Sequence, residues 1–284
     1  MSALAPPVWL EVALNGAAGR ALQPRIPVTP AAIIEEALAC ADLGAAIIHV
    51  HAFDERGAGV EDADIYARII EGVRSKSDAI VYPTLALSGD VETRYRPIRA
   101  LAERGLLEMG VVDPGSVNIT HKTQAAAGVD GVHYPNPDSH IREGLRLAAQ
   151  DGWRPAYAIY EPGFARLGAA LAAAQTGLKT PVYRVMFSDN LLFGMTPTRR
   201  GVDLYAAHLE ETAPGAPRMV SGLDANVMSI AVYAINKGFH LRVGLEDAPF
   251  GAEKSNFDFV REAVALIAKC GRRLATPAEI RAAP

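Results

Sequence analysis

The chain has 284 residues, half of them apolar, and a formal net charge of −4, which suits one large α/β domain with a substantial core. Its Lys and Arg residues are scattered and form no basic stripe able to neutralise a row of phosphates, so nucleic acid is not an expected partner. No run of about 18 uncharged apolar residues occurs, and "MSALAPPVWLEVALNGAAGR" has no basic segment ahead of its short apolar stretch, so neither a membrane span nor a leader is expected and the cytoplasm is the expected location.

β-rich apolar runs at 9–15, 45–52, 79–86, 109–119, 155–161, 181–188, 217–223 and 240–247 alternate with stretches of helical periodicity. The first helical stretch, "TPAAIIEEALACADLG", offers Thr29 as N-cap, Pro30 at the first helical position and Gly44 after the last turn. Similar stretches run over 62–75, 91–105, 139–152, 202–212, 225–238 and 256–271. This alternation builds parallel strands with crossover helices, and eight strands is the number of a (β/α)8 TIM barrel. No linker, low-complexity tract or repeat marks a boundary, so one barrel domain over 1–284 is expected. Cys40 and Cys270 fall in alanine-rich helical stretches and are expected to be buried, reduced thiols.

Barrel enzymes assemble their chemistry at the C-terminal ends of the strands. There, "AAIIHVHAFDERG" (45–57) puts His49 and His51 on one face of the second strand. Turned inward they suit metal ligation by neutral imidazoles, whereas alone they equally fit one core histidine and one solvated in the loop. In the last strand, "HLRVGLEDAPFG", Arg242, Gly244 and Glu246 share a parity and Asp247 follows. A closed barrel brings that strand next to the first and one step from the second. Charged and imidazole groups at these strand ends are costly to bury unless paired or metal-bound. His49, His51 and Glu246 therefore read as ligands of a Zn²⁺ with open coordination positions, and Fe²⁺, Mn²⁺ or Ni²⁺ fit the same donors. Arg242 reads as holding Asp247 ionised as a general base, or as its partner in a structural rim pair. Gly244 would leave room for a ligand or a neighbouring side chain.

These segments resemble the β-keto acid cleavage enzymes, whose founding member is the 3-keto-5-aminohexanoate cleavage enzyme. The matching elements are "NGA" (15–17), "PVTPAAIIEEALACADLGAAIIHVHAFDERG" (27–57), "DPGSVN" (113–118) and "RVGLEDAPFGAEKSNFDFVREAVALIAKCGRRLATPAEIRA" (242–282), in the family's order from end to end. The resemblance implies a barrel holding Zn²⁺ on His49, His51 and Glu246. It also implies that an Arg242–Asp247 dyad takes a proton from between the two carbonyls of a β-keto acid. The implied reaction is acyl transfer, turning the keto acid and acetyl-CoA as co-substrate into acetoacetate and a new acyl-CoA. A homo-oligomer, dimer or tetramer, is implied as well.

Departures from the family pattern fall in the pocket. Ala18 stands where the amino-keto acid enzyme has an acidic residue, and strand five reads "PAYAIYE" for "PELEVFD", with Ala158 at the second acid and only Glu161 retained. "TLALSG" replaces the "STGG" segment, leaving Thr84 as the match for the serine and Ser88 as the second choice, while a polar contact on strand four falls on Val111. A pocket without those carboxylates does not suit a substrate ammonium, whose unpaired burial is expensive, so a neutral, apolar or hydroxylated side chain is expected on the keto acid. Ser116, Asn118 and Asn15 are candidate substrate contacts, and by parity at most one of Tyr157 and Tyr160 faces inward. Arg184 would meet a carboxylate, a CoA phosphate or a surface acid. Two other functions fit parts of the pattern: a metal-dependent barrel hydrolase, in whose family the histidine pair sits on strand one, and a non-catalytic acyl-CoA or metabolite binder.

Overall fold

The computed structural model describes residues 6–284, and in it the apolar runs pair as parallel strands. These are β1 (Leu10–Ala13), β2 (Ile47–Val50), β3 (Ile80–Pro83), β4 (Met109–Val111), β5 (Arg154–Ile159), β6 (Val182–Phe187), β7 (Arg218–Gly222) and β8 (His240–Val243). Their ladder order is β3-β2-β1-β8-β7-β6-β5-β4, and the two end strands β3 and β4 lie side by side, so the sheet curls nearly shut into a TIM barrel. Around it run α1 (Pro30–Asp42), α2 (Ala63–Arg74), α3 (Val91–Glu103), α4 (Asp138–Asp151), α5 (Pro162–Ala173), α6 (Arg199–Thr212), α7 (Ala231–Asn236) and α8 (Asn256–Lys269).

Register decides which residues meet inside the barrel. Glu11 lies opposite Arg242 and Ala13 opposite His49, while His49 is also opposite Tyr82. Because side chains alternate across a strand, the neighbours Leu10, Val12, Ile48 and Val81 point the other way and seal the strands against the helices. Thr29 caps α1 by accepting from the Ala32 N–H, Pro30 occupies the first turn, and Gly44 sits at φ +110° just beyond the helix.

Several elements differ from the periodic reading. The run 109–119 is a barrel strand only to Val111; Pro114, which lacks an N–H, and Gly115 break the ladder. Val117–Ile119 instead pairs antiparallel with Val132–Tyr134, forming a hairpin that carries the short helix Lys122–Ala127. The run 45–52 stops at Val50, and Ala52–Phe53 pairs with Gly59–Val60. The last strand stops at Val243 because Gly244, at φ +132°, turns the chain so that the Asp247 and Ala248 N–H groups both bond its carbonyl. The stretch 225–238 divides into a 3₁₀ turn, Val227–Ser229, and α7. Helix α5 is not among the helical stretches expected from sequence, although Phe164, Leu167 and Leu171 are spaced along one helical face. Both cysteines are free, but only Cys40 is buried, where desolvation pushes its thiol up to about 12, while Cys270 ends α8 half-buried. Among the described residues no helix is long and apolar enough to cross a membrane.

Candidate metal centre and active site

His51 lies one residue past β2, yet it keeps the parity of His49 because Asn15 replaces the missing strand partner. The Asn15 amide donates to the His51 carbonyl at 3.0 Å, and its oxygen accepts from the His51 N–H at 2.8 Å. Its remaining bonds go to the Pro27 carbonyl and the Gly16 N–H. Asn15 is fully buried with its hydrogen-bonding capacity spent, so it positions His51 rather than touching substrate as the sequence suggested.

Glu246 enters from the turn after β8. Gly16, at φ +71°, passes so close that a Cβ on it would fall 2.5 Å from Glu246 Cγ. Gly244 also serves close approach, but to backbone: a Cβ there would sit 2.2 Å from the Ala13 carbonyl oxygen, which accepts from the Glu246 N–H. The space expected for a ligand at Gly244 is therefore filled by β1.

The three side chains converge. His49 Nε2 lies 3.5 Å and His51 Nε2 3.6 Å from the two Glu246 oxygens, and one donor atom from each residue falls within 4.8 Å of the others. Donors around a tetrahedral Zn²⁺ stand ~3.4 Å apart, given bonds of about 2.0–2.1 Å. His51 Nε2 and Glu246 Oε2 are buried without a hydrogen-bond partner among the described residues, a costly state that a cation relieves. Protonation states agree with this. Burial, opposed by Glu246, holds His49 well below the usual imidazole range. Burial pushes Glu246 up, but Arg242 and both imidazoles outweigh it and hold the carboxyl well below its ordinary value. At least one neutral imidazole and an ionised carboxylate thus face the same point, and the donor set fits a divalent metal.

Beneath it runs a buried ionic floor. Arg242 grips Asp247 with Nε at 3.0 Å and Nη2 at 2.8 Å, reaches Glu11 with Nη1 at 3.0 Å, and contacts Glu246 at 2.9 Å. Asp247 also accepts from the Gly222 N–H, and burial, offset in part by Arg242, raises its carboxyl. Tyr82 donates to Glu11 at 2.6 Å and accepts from Arg184 at 3.1 Å. On the far side Asp113 accepts from the Ala158 N–H and from Tyr134. Glu11, Tyr82 and Asp113 escaped the sequence reading, although an acid in the middle of "VWLEVAL" and another in "DPGSVN" were visible signals.

A cavity of about 590 Å³ opens above this floor. Its wall includes His49, His51, Glu246, Arg242, Thr84, Asp113, Arg184 and Tyr160, together with the three departures Ala18, Val111 and Ala158. Asp247 lies behind Arg242 and forms no part of that wall. Tyr157 points outward and donates to the Gly168 carbonyl. Three predicted contacts lie away from the cavity. Ser88 is exposed on the loop after β3; Ser116 is exposed and accepts from the Asn136 N–H; Asn118 is exposed and paired with His133. The last two followed from extending β4 through 119, and the break at Pro114 removes the parity that aimed them inward.

The family model for beta-keto acid cleavage enzymes matches residues 7–283. A 3-keto-5-aminohexanoate cleavage enzyme of Fusobacterium nucleatum is 27% identical, covering 91% of this chain and 90% of its own. A 3-oxoadipate:acetyl-CoA acetyltransferase of Cupriavidus necator is 26% identical, covering 97% and 94% respectively. Among solved structures, a ternary complex of ObcA with a C4-CoA adduct and oxalate superposes with a TM-score of 0.72 at 16% identity, covering 91% of this chain and 67% of that one. That likeness bears on the fold alone.

Proposed function

The chain belongs to the β-keto acid cleavage enzyme family, and on that premise we propose a metal-dependent acyltransferase that turns a β-keto acid and acetyl-CoA into acetoacetate and a new acyl-CoA. The observation that carries this reading is the convergence of His49, His51 and Glu246 on one point of the cavity wall, with Arg242 and Asp247 immediately beneath. The acetyl-CoA transfer stated in relatives' names supports the reaction class. Zn²⁺ is the ion best matched by two imidazoles and one carboxylate, and a divalent ion there would polarise the ketone and carboxylate oxygens of the keto acid, favouring loss of the proton between them.

The protein's own groups do the rest. Asp247 is the base: burial raises its carboxyl, which makes it a stronger proton acceptor than a surface aspartate, while Arg242 orients it. Because Arg242 stands between Asp247 and the cavity, abstraction requires the guanidinium to slide off one of the two oxygens it holds. The enolate carbon then attacks the acetyl-CoA thioester and expels CoA thiolate. The thiolate adds to the original ketone carbon, the old C–C bond breaks, and the carbanion released takes back the proton held on Asp247, so that acetoacetate leaves with an acyl-CoA behind. Ala18, Val111 and Ala158 line the pocket where a substrate ammonium would need acids, and Asp113 is already engaged by the Ala158 N–H and Tyr134, which favours a keto acid without an amino group. A cytoplasmic homo-oligomer belongs to the same proposal.

The test is a panel of β-keto acids with acetyl-CoA, run on protein of measured metal content. Acetoacetate and a new acyl-CoA are the expected products, formed in proportion to bound metal. Hydrolysis without CoA would make the protein a barrel hydrolase instead, and metal binding with no turnover would leave only a binding scaffold.

A further inference from the structure

The described residues include four arginines buried to 3% exposure or less, and one of them differs from the rest. Arg94 spends its donors on the carbonyls of Ala86 and Pro135, on Asn136 Oδ1 at 2.8 Å and on His140 Nδ1. Arg154 caps the carbonyls of Thr180, Ala283 and Pro284. Arg242 sets each of its three nitrogens against a carboxylate, among Asp247, Glu11 and Glu246. Arg184 makes one good hydrogen bond, to Tyr82, and one of 3.4 Å to the Ala156 carbonyl. Its Nε has no partner among the described residues. The nearest acids, Glu11 at 3.8 Å and Asp113 at 4.0 Å, are beyond hydrogen-bond reach.

A guanidinium carries five N–H donors in a fixed fork, and a buried cation that leaves donors unused costs more than the Coulomb attraction of distant acids returns. Arg184 is not stranded in the apolar core. It rises from β6, across the barrel from the histidines on β2, and forms part of the cavity wall. Tyr82 bridges the two sides, its ring 4.6 Å from that of His49 and its hydroxyl on Arg184. Arg184 therefore borders the space into which a molecule held at the His49, His51 and Glu246 corner would extend, and it does so with bonding capacity unspent.

We infer that Arg184 is a substrate-binding residue that holds a carboxylate of the substrate through its unused bonding capacity. Planar, bidentate capture of a carboxylate is the chemistry the fork suits. The inference rests on the acyltransferase reading for the identity of the substrate as a keto acid, and it replaces the wholly neutral pocket expected from the alanine substitutions. The carboxylate has two possible sources, the β-keto carboxylate itself or a second carboxylate at the far end of the molecule.

Binding rather than turnover tests it. Titration calorimetry with acetoacetate and with 3-oxoadipate is compared for the wild-type protein and for Arg184→Met and Arg184→Lys, all with equal metal content. Arg184→Met is expected to weaken binding at least tenfold, and Arg184→Lys, which keeps the charge but not the fork, less severely. Loss with both ligands assigns the head carboxylate, and loss confined to 3-oxoadipate assigns the far one. Arg184→Lys also keeps a cation near Glu11 and Asp113, so a folded variant is available if Arg184→Met fails to fold. Unchanged binding of both ligands to folded Arg184→Lys, and to Arg184→Met where it folds, overturns the inference. Absence of acetoacetate formation in the keto-acid panel would instead overturn the acyltransferase reading, leaving the carboxylate-binding measurement intact.

Discussion

The two ends of the barrel treat their histidines in opposite ways, half-buried His240 at the bottom and buried His49 and His51 at the mouth. At the bottom, His240 begins β8, stacks on Trp9 with centroids 4.6 Å apart and planes within 4°, and accepts the Trp9 N–H on Nδ1. Around it Arg154 ties down the carbonyls of Ala283 and Pro284 in the C-terminal segment, and Val8 forms a parallel bridge with Leu274. At the mouth, His49 and His51 face a carboxylate at distances longer than good hydrogen bonds. Of the seven buried side-chain polar atoms without a hydrogen-bond partner among the described residues, five belong to Glu11, His49, His51, Arg184 and Glu246 in the mouth or its floor. Unmet bonding capacity, more than burial or residue type, separates the functional end from the structural one.

The sharpest way to break the contrast is Glu246→Gln. It is expected to lower turnover by at least ~10²-fold and to deplete bound metal, because even indirect support of a metal site is worth 10–100-fold. The urea midpoint of metal-free protein should move by less than ~1 kcal/mol equivalent, since the side chain keeps its shape. A large loss of metal-free stability would show that the mouth is ordinary core. At the bottom the opposite is expected of Arg154→Met: a loss of ~2–4 kcal/mol, from carbonyls of Thr180 and Ala283 left without their donor, read by denaturation. Turnover per folded molecule should stay within about twofold of wild type.

A third measurement sharpens the comparison through pH. Burial, helped by Arg272 and Arg218, lowers His240 from 6.5 to about 3. The folded state therefore refuses a proton that the unfolded chain accepts below pH 6.5. Stability supplied by the neutral ring is fully present above that value and falls by roughly 1.4 kcal/mol per pH unit on acidification toward pH 3. The stability gap between wild type and His240→Asn should shrink over that window, and a constant gap would show that the bottom is not sealed. The smallest effect is expected for Thr84→Val, which removes one hydroxyl from the cavity wall. A KM increase of about two- to tenfold with the metal content unchanged is expected for the loss of one neutral hydrogen bond.

Much of the centre was legible in sequence because its signals are local. Two histidines two apart in an apolar run, and Arg, Glu and Asp in a glycine-containing strand end, are anomalies against the cost of burying charge. The residues misplaced in sequence depended on where strands stop. Ser116 and Asn118 were aimed inward by a strand that Pro114 breaks, and Asn15 looked like a substrate contact because its service to His51 crosses between two strands. Asp113 and Glu11 went unnoticed for a related reason: each is a lone acid, and its partners, Tyr134 and Ala158 for one and Arg242 and Tyr82 for the other, are set by the fold.

By itself, then, the amino-acid order determined the alternation of strand and helix, the closing number of eight, and the donor types available at two strand ends. Periodicity and turn chemistry are properties of neighbouring residues, which is why they can be read along the chain. Only the tertiary structure decided that Ala13 lies opposite His49 and Glu11 opposite Arg242, that Gly16 and Gly244 admit Glu246 to the histidines, and that Arg184 reaches the cavity with donors to spare. Register between distant strands is chosen by the packing of the whole barrel, so no local pattern encodes which buried groups will find partners and which will be left for a ligand.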